Sequence, residues 1–145
     1  MFLVDTNVIS IAAARRHRDD VLPLLEWLEC NGSKLYLSVI TVAEIEFGVL
    51  KLAREGKNER AGAIRVFLKN TLNFYGSRVL PVDVQVALHV AGLRDQSYRQ
   101  PVELADVIIA ATAARHNLTV LTRNVKDFER LDVEVHNPFE ALPGY

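Results

Sequence analysis

Three acids and one carboxamide of this 145-residue chain stand beside apolar segments, although they are far apart in sequence: Asp5, Glu44, Asp106 and Asn124. If folding gathers the acids, each pair of like charges about 5 Å apart costs on the order of 3 kcal/mol at an effective dielectric near 20. A cluster of this kind persists either by raising pKa values or by holding a cation. These residues therefore predict a cation site.

The kind of ligand atom indicates which cation such a cluster would hold. Oxygen ligands without histidine or cysteine select hard ions, so we expect Mg²⁺ or Mn²⁺. Mg²⁺ keeps several of its waters and prefers one or two protein carboxylates together with substrate phosphates. A bound water that loses a proton can attack phosphorus while the metal neutralises the developing charge. The acids therefore predict metal-dependent hydrolysis of a phosphodiester.

Short apolar strands alternate with helical patterns along the chain. Strands are predicted at 2–4, 34–40, 78–81 and 118–121, with a weaker fifth at 131–135. Helices are predicted at about 19–29, 41–55 and 59–74, after the capping residue Asp83, and from Pro101 to about His116. This alternation is typical of an α/β sandwich with a mostly parallel sheet of about five strands. No linker-like stretch interrupts it, so we expect residues 1–145 to form a single domain.

The predicted sheet explains how distant acids can meet. In open parallel sheets, ligands bind beyond the carboxyl ends of the strands. Asp5 directly follows the first predicted strand, and Asn124 comes shortly after the fourth. Glu44 stands in the first turn of the helix predicted after the second strand, and Asp106 stands near the start of another helix. We therefore expect these four side chains to converge at one edge of the sheet.

Each of these residues also has a purely structural interpretation. Glu44 completes a capping-box pattern, in which it would only reach back to the start of its own helix. Asp5 would be an ordinary N-cap, and Asp106 would only complement a helix dipole. Asn124 and Asp127 have the spacing of residues at a helix start. The convergence of the acids, and not any one of them, favours a site.

Composition excludes several other classes of protein. The chain has 17 basic and 18 acidic residues, and this balance excludes a polybasic nucleic-acid binder. The single cysteine, Cys30, and four scattered histidines argue against soft-metal sites. The sequence contains neither a phosphate-binding glycine loop nor an apolar stretch long enough to span a membrane. Only Phe2, Leu3 and Val4 stand between Met1 and Asp5, so we expect no signal peptide, a cytoplasmic location and no membrane partner.

Four segments together resemble the PIN-domain family, and most of all the VapC and FitB toxins of bacterial toxin–antitoxin pairs. These segments are DTNVIS at 5–10, TVAE at 41–44, ADVIIAATA at 105–113 and LTRNVKDF at 121–128. The resemblance implies a small α/β/α domain and an endoribonuclease that depends on Mg²⁺ or Mn²⁺. It also implies a homodimer that is silenced by a small antitoxin encoded beside it. Operator DNA would be bound only indirectly, through the antitoxin.

The resemblance also assigns roles to single residues. Asp5, Glu44 and Asp106 match the three acids that form the metal site of the family. The fourth position is Asn124 in members resembling FitB, whereas Asp127 is the acid that some VapC members present. An amide at this position would be the weaker ligand, and both choices stay open. The predicted catalytic residues are therefore Asp5, Glu44, Asp106 and Asp127, with support from Thr6, Asn7, Thr112 and Asn124 through hydrogen bonds or water.

Two basic clusters and one apolar helix predict where partners bind. Residues 51–69 contain six cations and two acids, a local charge of +4, and residues 15–18 form a second cluster. Either cluster can contact RNA phosphates, although solvated helix faces explain the same charges. Arg123, beside the predicted site, is the expected contact for the scissile phosphate. No pattern of base-stacking aromatics is evident.

The predicted helix at 21–28 adds Leu22 and Trp27 to its regular apolar stripe. By analogy with the family, a groove between this helix and the next two would receive the antitoxin, although core burial explains the same residues.

A second class of function also fits the resemblance. A PIN-like binding module without catalysis would act only within a repressor complex of antitoxin and operator DNA. Loss of Asp5 or Asp106 would favour that interpretation, and both acids are present. Enzymes with an aspartyl-phosphate intermediate require a second acid just after the first strand, where this chain has Asn7.

Overall fold

Five short apolar segments form one sheet in the computed structural model, which describes residues 1–14 and 18–144. The strands are β1 (Phe2–Val4), β2 (Leu35–Ser38), β3 (Val79–Leu80), β4 (Thr119–Leu121) and β5 (Val135–His136). Their order in the sheet is β3-β2-β1-β4-β5, and every neighbouring pair is parallel. The predicted α/β class is confirmed, and the sheet of the described residues is wholly parallel.

Helices connect the strands, and the five predicted helices are all present together with two further short helices that follow β1 and β4. These helices are α1 (Thr6–Ala14), α2 (Leu22–Cys30), α3 (Val39–Arg54), α4 (Asn58–Tyr75), α5 (Val84–Gln96), α6 (Leu104–His116) and α7 (Val125–Glu129). Between residues 18 and 144, and in 1–14, no helix is both long and apolar enough to cross a membrane. Residues 15–17, most of the second basic cluster, lie outside the described residues.

Side-chain alternation along the central strands divides the core into two layers. Leu3 of β1 and Val120 of β4 pack with the buried residues of α5, α6 and α7. Val4 and Leu121, the next residue of each strand, pack on the other side with buried residues of α1, α2, α3 and α4. The sheet is thus covered on both faces, which confirms the predicted α/β/α sandwich.

The start of α3 differs from the prediction. The strand predicted at 34–40 ends at Ser38, because the Ser38 hydroxyl accepts a hydrogen bond from the Ile40 N–H at 3.2 Å and caps the helix. The helix therefore begins at Val39 and not at Thr41, which places Glu44 in its second turn. The capping-box interpretation of Glu44 is wrong, since the start of the helix lies too far back for Glu44 to cap it.

The last strand and two helix starts also differ from the prediction. The fifth strand is Val135–His136 and not 131–135, because Leu131 is still in the turn after α7, where its N–H donates to the Phe128 carbonyl. Asp132 follows with a positive φ of 51°. Helices α2 and α6 begin three residues later than predicted, at Leu22 and Leu104.

Candidate active site

Asp5 is the most buried acid of the predicted site. It directly follows β1, its side chain is only 3% exposed, and its N–H donates to the Leu121 carbonyl of β4. Its Oδ1 accepts from the Thr6 N–H and its Oδ2 accepts from the Thr122 hydroxyl, both at 2.7 Å. Burial raises the pKa of Asp5, the two hydrogen bonds lower it, and the charge of Glu44 raises it again. Asp5 is therefore held rigidly at the carboxyl end of the central strand.

Thr6 connects the first strand to α3. Its hydroxyl lies 2.7 Å from Glu44 Oε1 and also hydrogen-bonds the buried Thr41 hydroxyl at 3.0 Å. Glu44 is exposed, and this bond holds its carboxylate beside the residue that follows Asp5. The structure thus places Thr6 where the resemblance implies, as a hydrogen-bonding support of a predicted metal ligand.

Thr122, for which the sequence predicts no role, makes several hydrogen bonds that hold the site together. Its fully buried hydroxyl donates to Asp5 and accepts from Asn7 Nδ2 at 3.2 Å and from the Asn124 N–H at 2.9 Å. Asn7 Oδ1 also accepts from the Arg123 N–H at 3.2 Å. These bonds join the residues after β1 to those after β4. The sequence offered one signal for this role, which is the position of Thr122 directly after the predicted fourth strand.

Asn124 and Asp127 interact with each other at the start of α7. Asn124 Nδ2 donates to Asp127 Oδ2 at 2.7 Å, and Arg130 Nη1 lies 4.0 Å from the other Asp127 oxygen. Asn124 stands at the N-cap position, but its side chain makes no capping bond. The amide therefore orients the acid, which agrees with a supporting role for Asn124. Arg123 is exposed beside this pair.

The surroundings of Asp106 show how the acids are arranged. It lies in the first turn of α6 and is partly buried. Burial raises its pKa to about 7, with further contributions from the charges of Asp5, Glu44, Asp127 and, last, Glu103. These acids are far apart in the sequence, but their charges all act on Asp106. The predicted acids therefore lie in one region of the folded molecule. We call Asp5, Glu44, Asp106 and Asp127 the acidic edge.

The acidic edge has the ligand atoms that a hard cation needs. All its possible metal-ligand atoms are carboxylate oxygens, and each oxygen that already accepts one hydrogen bond keeps a further lone pair. Within 1–14 and 18–144, however, no three Asp, Glu, His or Cys side chains are grouped as direct ligands of one ion. A cation that retains several waters, as Mg²⁺ does, fits this arrangement best.

Thr112 and Trp27, two residues that the sequence singled out, both lie inside the protein. Thr112 is fully buried, and its hydroxyl donates to the Ile108 carbonyl of its own helix at 2.7 Å. The structure therefore shows no hydrogen bond from Thr112 to a carboxylate. Trp27 is only 6% exposed and packs edge-on against Phe2, so it belongs to the core, whereas Leu22 is 40% exposed.

Comparison with known sequences identifies the family. A sequence model of the PIN domain matches residues 2–134. The chain belongs to the PIN domain family. The predicted family is thereby confirmed, and PIN nucleases generally depend on a divalent metal ion.

Similar PIN proteins cover nearly the whole chain. The toxin FitB of Neisseria gonorrhoeae is 38% identical over 141 residues, which are 96% of this chain and 99% of FitB. The VapC ribonuclease Y4jK of Sinorhizobium fredii is 34% identical over 149 residues, covering 97% and 99% of the two chains. The crystal structure of FitAcB from Neisseria gonorrhoeae has a TM-score of 0.79 at 36% identity and covers 96% of this chain and 99% of that one. Other solved chains with this fold belong to VapBC or FitAB complexes, some of them bound to DNA.

Proposed function

We propose that the protein is the toxin of a toxin–antitoxin pair, an endoribonuclease that hydrolyses RNA phosphodiester bonds with Mg²⁺ or Mn²⁺. The observation that carries this proposal is the arrangement of the acidic edge, where Thr6 hydrogen-bonds both Asp5 and Glu44 and their charges act on the partly buried Asp106. Negative charge that is gathered in this way is neutralised by a bound divalent cation. The similarity to proteins named toxin FitB and VapC ribonuclease supports the same activity.

Within this proposal, each acid has a distinct role. Asp5, Glu44 and Asp106 would hold the metal ion. The ion, when bound, supplies an activated water and neutralises charge on the phosphate. Asp127 accepts the proton of the attacking water as the fourth catalytic residue, and Asn124 orients it through the bond at 2.7 Å. Thr6 and Thr122 fix the carboxylates in place, as outer-shell partners of metal ligands do.

Arg123 is the proposed contact for the scissile phosphate. Its guanidinium is exposed, while its N–H is fixed to Asn7 at 3.2 Å. A guanidinium can form two parallel hydrogen bonds to a phosphate, and a fixed backbone limits the positions it can reach. Asn7 therefore supports the site by holding the segment that carries Arg123.

The proposed assembly follows the family. We propose a homodimer in the cytoplasm, formed by chains in which residues 1–145 are one PIN domain. A small antitoxin would bind between α2, α3 and α4, and Leu22 of α2 is exposed. Operator DNA would be contacted through that antitoxin.

The test is cleavage of purified total RNA by the native protein, with Mn²⁺ and with a chelator. Asp5→Asn removes one charge and keeps the side-chain shape, so we expect cleavage to be lost while the circular dichroism spectrum is retained. Glu29→Gln is the matched control, because Glu29 is exposed near the end of α2, which leads to the opposite edge of the sheet. Cleavage by the Asp5→Asn protein at the native rate would refute the mechanism, and cleavage in the presence of the chelator would refute the metal.

A further inference from the structure

We propose that one exposed side of α3 binds the RNA strand as it leaves the acidic edge, with Phe47 stacking on an unpaired base and Lys51 and Arg54 binding backbone phosphates. This inference rests on the proposed function, because it requires RNA to be the substrate. It adds a path for the RNA strand beyond the acidic edge, with one contact to a base and two to phosphates. We call Phe47, Lys51 and Arg54 the α3 stripe.

The α3 stripe is continuous with the proposed metal site. Glu44 and the three stripe residues are spaced at i, i+3, i+7 and i+10, so they lie within an arc of about 80° on one side of the helix. All four side chains are exposed, whereas Ile45 on the opposite side is buried. At a rise of 1.5 Å per residue, Arg54 lies about 15 Å from Glu44 along the helix axis. The bond from Glu44 to Thr6 fixes one end of the stripe at the acidic edge.

Phe47 has the features of a base-stacking side chain. It is 63% exposed, and the Arg54 guanidinium lies 6.0 Å from the centre of its ring. Exposed apolar residues are common on protein surfaces and need no explanation by themselves, and Leu50, one turn along the helix from Phe47, is also 46% exposed. An exposed aromatic ring between a catalytic acid and two cations, on the same helix side, is instead the combination with which single-stranded nucleic acids are bound.

The charge around the stripe is strongly positive. Residues 51–69 carry +4, whereas the whole chain carries −1. The pKa of Glu55 is lowered by its hydrogen bond to Lys57 and by the charges of Lys57, Lys51 and Arg54, so several cations surround one carboxylate. In the described part of the chain, neither Lys51 nor Arg54 forms a salt bridge. Both remain available for phosphates.

RNA fits this surface better than a protein partner does. A protein would have to bury two cations on the stripe and supply acids to pair with them, since unpaired buried charges are costly. A nucleic-acid strand supplies phosphates and aromatic faces together.

The first test measures RNA affinity in the Asp5→Asn background, where the probe stays intact. The probe is a fluorescein-labelled single-stranded RNA of 12 nucleotides of mixed sequence. We expect Phe47→Ala to weaken binding about 10- to 100-fold, since stacking on an aromatic residue contributes affinity of this size. Phe47→Tyr keeps the aromatic face and should bind nearly as tightly as the parent. Leu88→Ala is the control, because Leu88 is 64% exposed on α5, which packs against the other face of the sheet.

The second test counts phosphate contacts through salt dependence. In the same background, changing both Lys51 and Arg54 to Gln should reduce the slope of log K against log salt by about 1.4, which is about 0.7 for each cation on a single strand. Arg115→Gln should leave the slope unchanged, because Arg115 is exposed at the far end of α6 from Asp106.

Three outcomes would overturn the inference. Phe47→Leu that binds RNA as tightly as the parent would show that the ring face is irrelevant. Stripe variants that change the oligomeric state in size-exclusion chromatography, with RNA affinity unchanged, would assign the surface to a protein partner. Native protein that cleaves RNA with the same KM as Phe47→Ala would refute the path while the proposed function stands. Failure of the native protein to cleave any RNA with Mn²⁺ would refute the proposed function itself.

Discussion

The acidic edge and the basic hairpin of residues 51–69 both concentrate charge of one sign, but they differ in exposure. Asp5 is buried, and Asp106 is partly buried among other acids, so burial and mutual repulsion raise their pKa values. The cations of the hairpin are exposed, and two of them pair with nearby acids, Lys57 with Glu55 and Arg65 with Glu46. Exposed charges are screened by water and salt, and their pairs contribute little to stability.

Charge at the acidic edge therefore affects the stability of the folded state, whereas charge in the basic hairpin affects only binding. Repulsion at the acidic edge is part of the free energy of folding, so a cation that relieves it also stabilises the protein. The charges of the hairpin leave folding almost unaffected and act when a polyanion approaches. Helix α3 joins both regions, with Glu44 in its second turn and Arg54 at its end.

The largest expected effect is a difference between Glu44 and Lys51, which lie on the same face of α3. Glu44→Gln should lower kcat for RNA cleavage at least about 100-fold, because a metal contributes several kcal/mol of charge stabilisation in the transition state. Lys51→Gln, seven residues further along, should raise KM a fewfold and leave kcat unchanged. Steady-state cleavage of a labelled RNA measures both constants. Equal loss of kcat in the two variants would contradict the division into two regions.

The next effect concerns the hydrogen bonds that hold the acidic edge. Thr122→Val should reduce Mn²⁺ affinity about 10- to 100-fold, since partners of metal ligands have effects of this size. Thr112→Val is the matched control, because Thr112 is equally buried but bonds only within α6. Isothermal titration with Mn²⁺ measures both variants. If Thr112→Val loses as much affinity as Thr122→Val, Thr112 supports the carboxylates after all.

A smaller effect appears in the pH dependence of stability without metal. The pKa of Asp106 is raised to about 7 in the folded protein from an ordinary value near 4, so the folded state holds this proton more tightly. The resulting stabilisation is complete below about pH 4 and is lost as the pH rises to about 7. Asp106→Asn should therefore raise the free energy of unfolding at pH 8 by about 1–2 kcal/mol, after discounting for solvent screening.

Urea unfolding at pH 5 and pH 8 in the presence of a chelator measures this effect. Mg²⁺ should stabilise the native protein at pH 8 and have little effect on Asp106→Asn. If the free energy of unfolding changes equally between pH 5 and pH 8 in the native protein and in Asp106→Asn, then the neighbours of Asp106 do not destabilise its charged form.

The smallest effect is expected in the basic hairpin. Lys57→Gln removes the exposed pair with Glu55, whose atoms lie 3.1 Å apart, and should leave the urea midpoint of unfolding unchanged. Urea unfolding with and without 0.5 M salt checks this expectation at roughly the concentration where surface charges are screened. A clear fall of the midpoint that salt abolishes would mean that the hairpin charges do contribute to folding.

Local sequence patterns predicted much of the fold and of the site. Apolar strands and periodic helices identified the α/β class, and the rule for parallel sheets indicated that Asp5 and Asn124 belong to one edge. Boundaries were less accurate where one side chain decides them, as Ser38 does for α3. The interpretation of Glu44 as a capping residue failed for the same reason.

Other features could not be predicted from local patterns. Thr122 and Asp5 are 117 positions apart, and only the pairing of β1 with β4 brings the Thr122 hydroxyl to the carboxylate. The exposed ring of Phe47 resembled any apolar residue of a helix, because exposure depends on which neighbours cover it.

The sequence by itself determined the order of strands and helices, the family and the residue types at the carboxyl ends of the strands, because these depend on short-range periodicity and on motifs within a few residues. The tertiary structure decided which acids raise the pKa of Asp106, which hydroxyl holds Asp5, and which aromatic ring stays in solvent. Burial and the distance between charges are properties of the whole folded chain. They arise only when segments a hundred residues apart pack together.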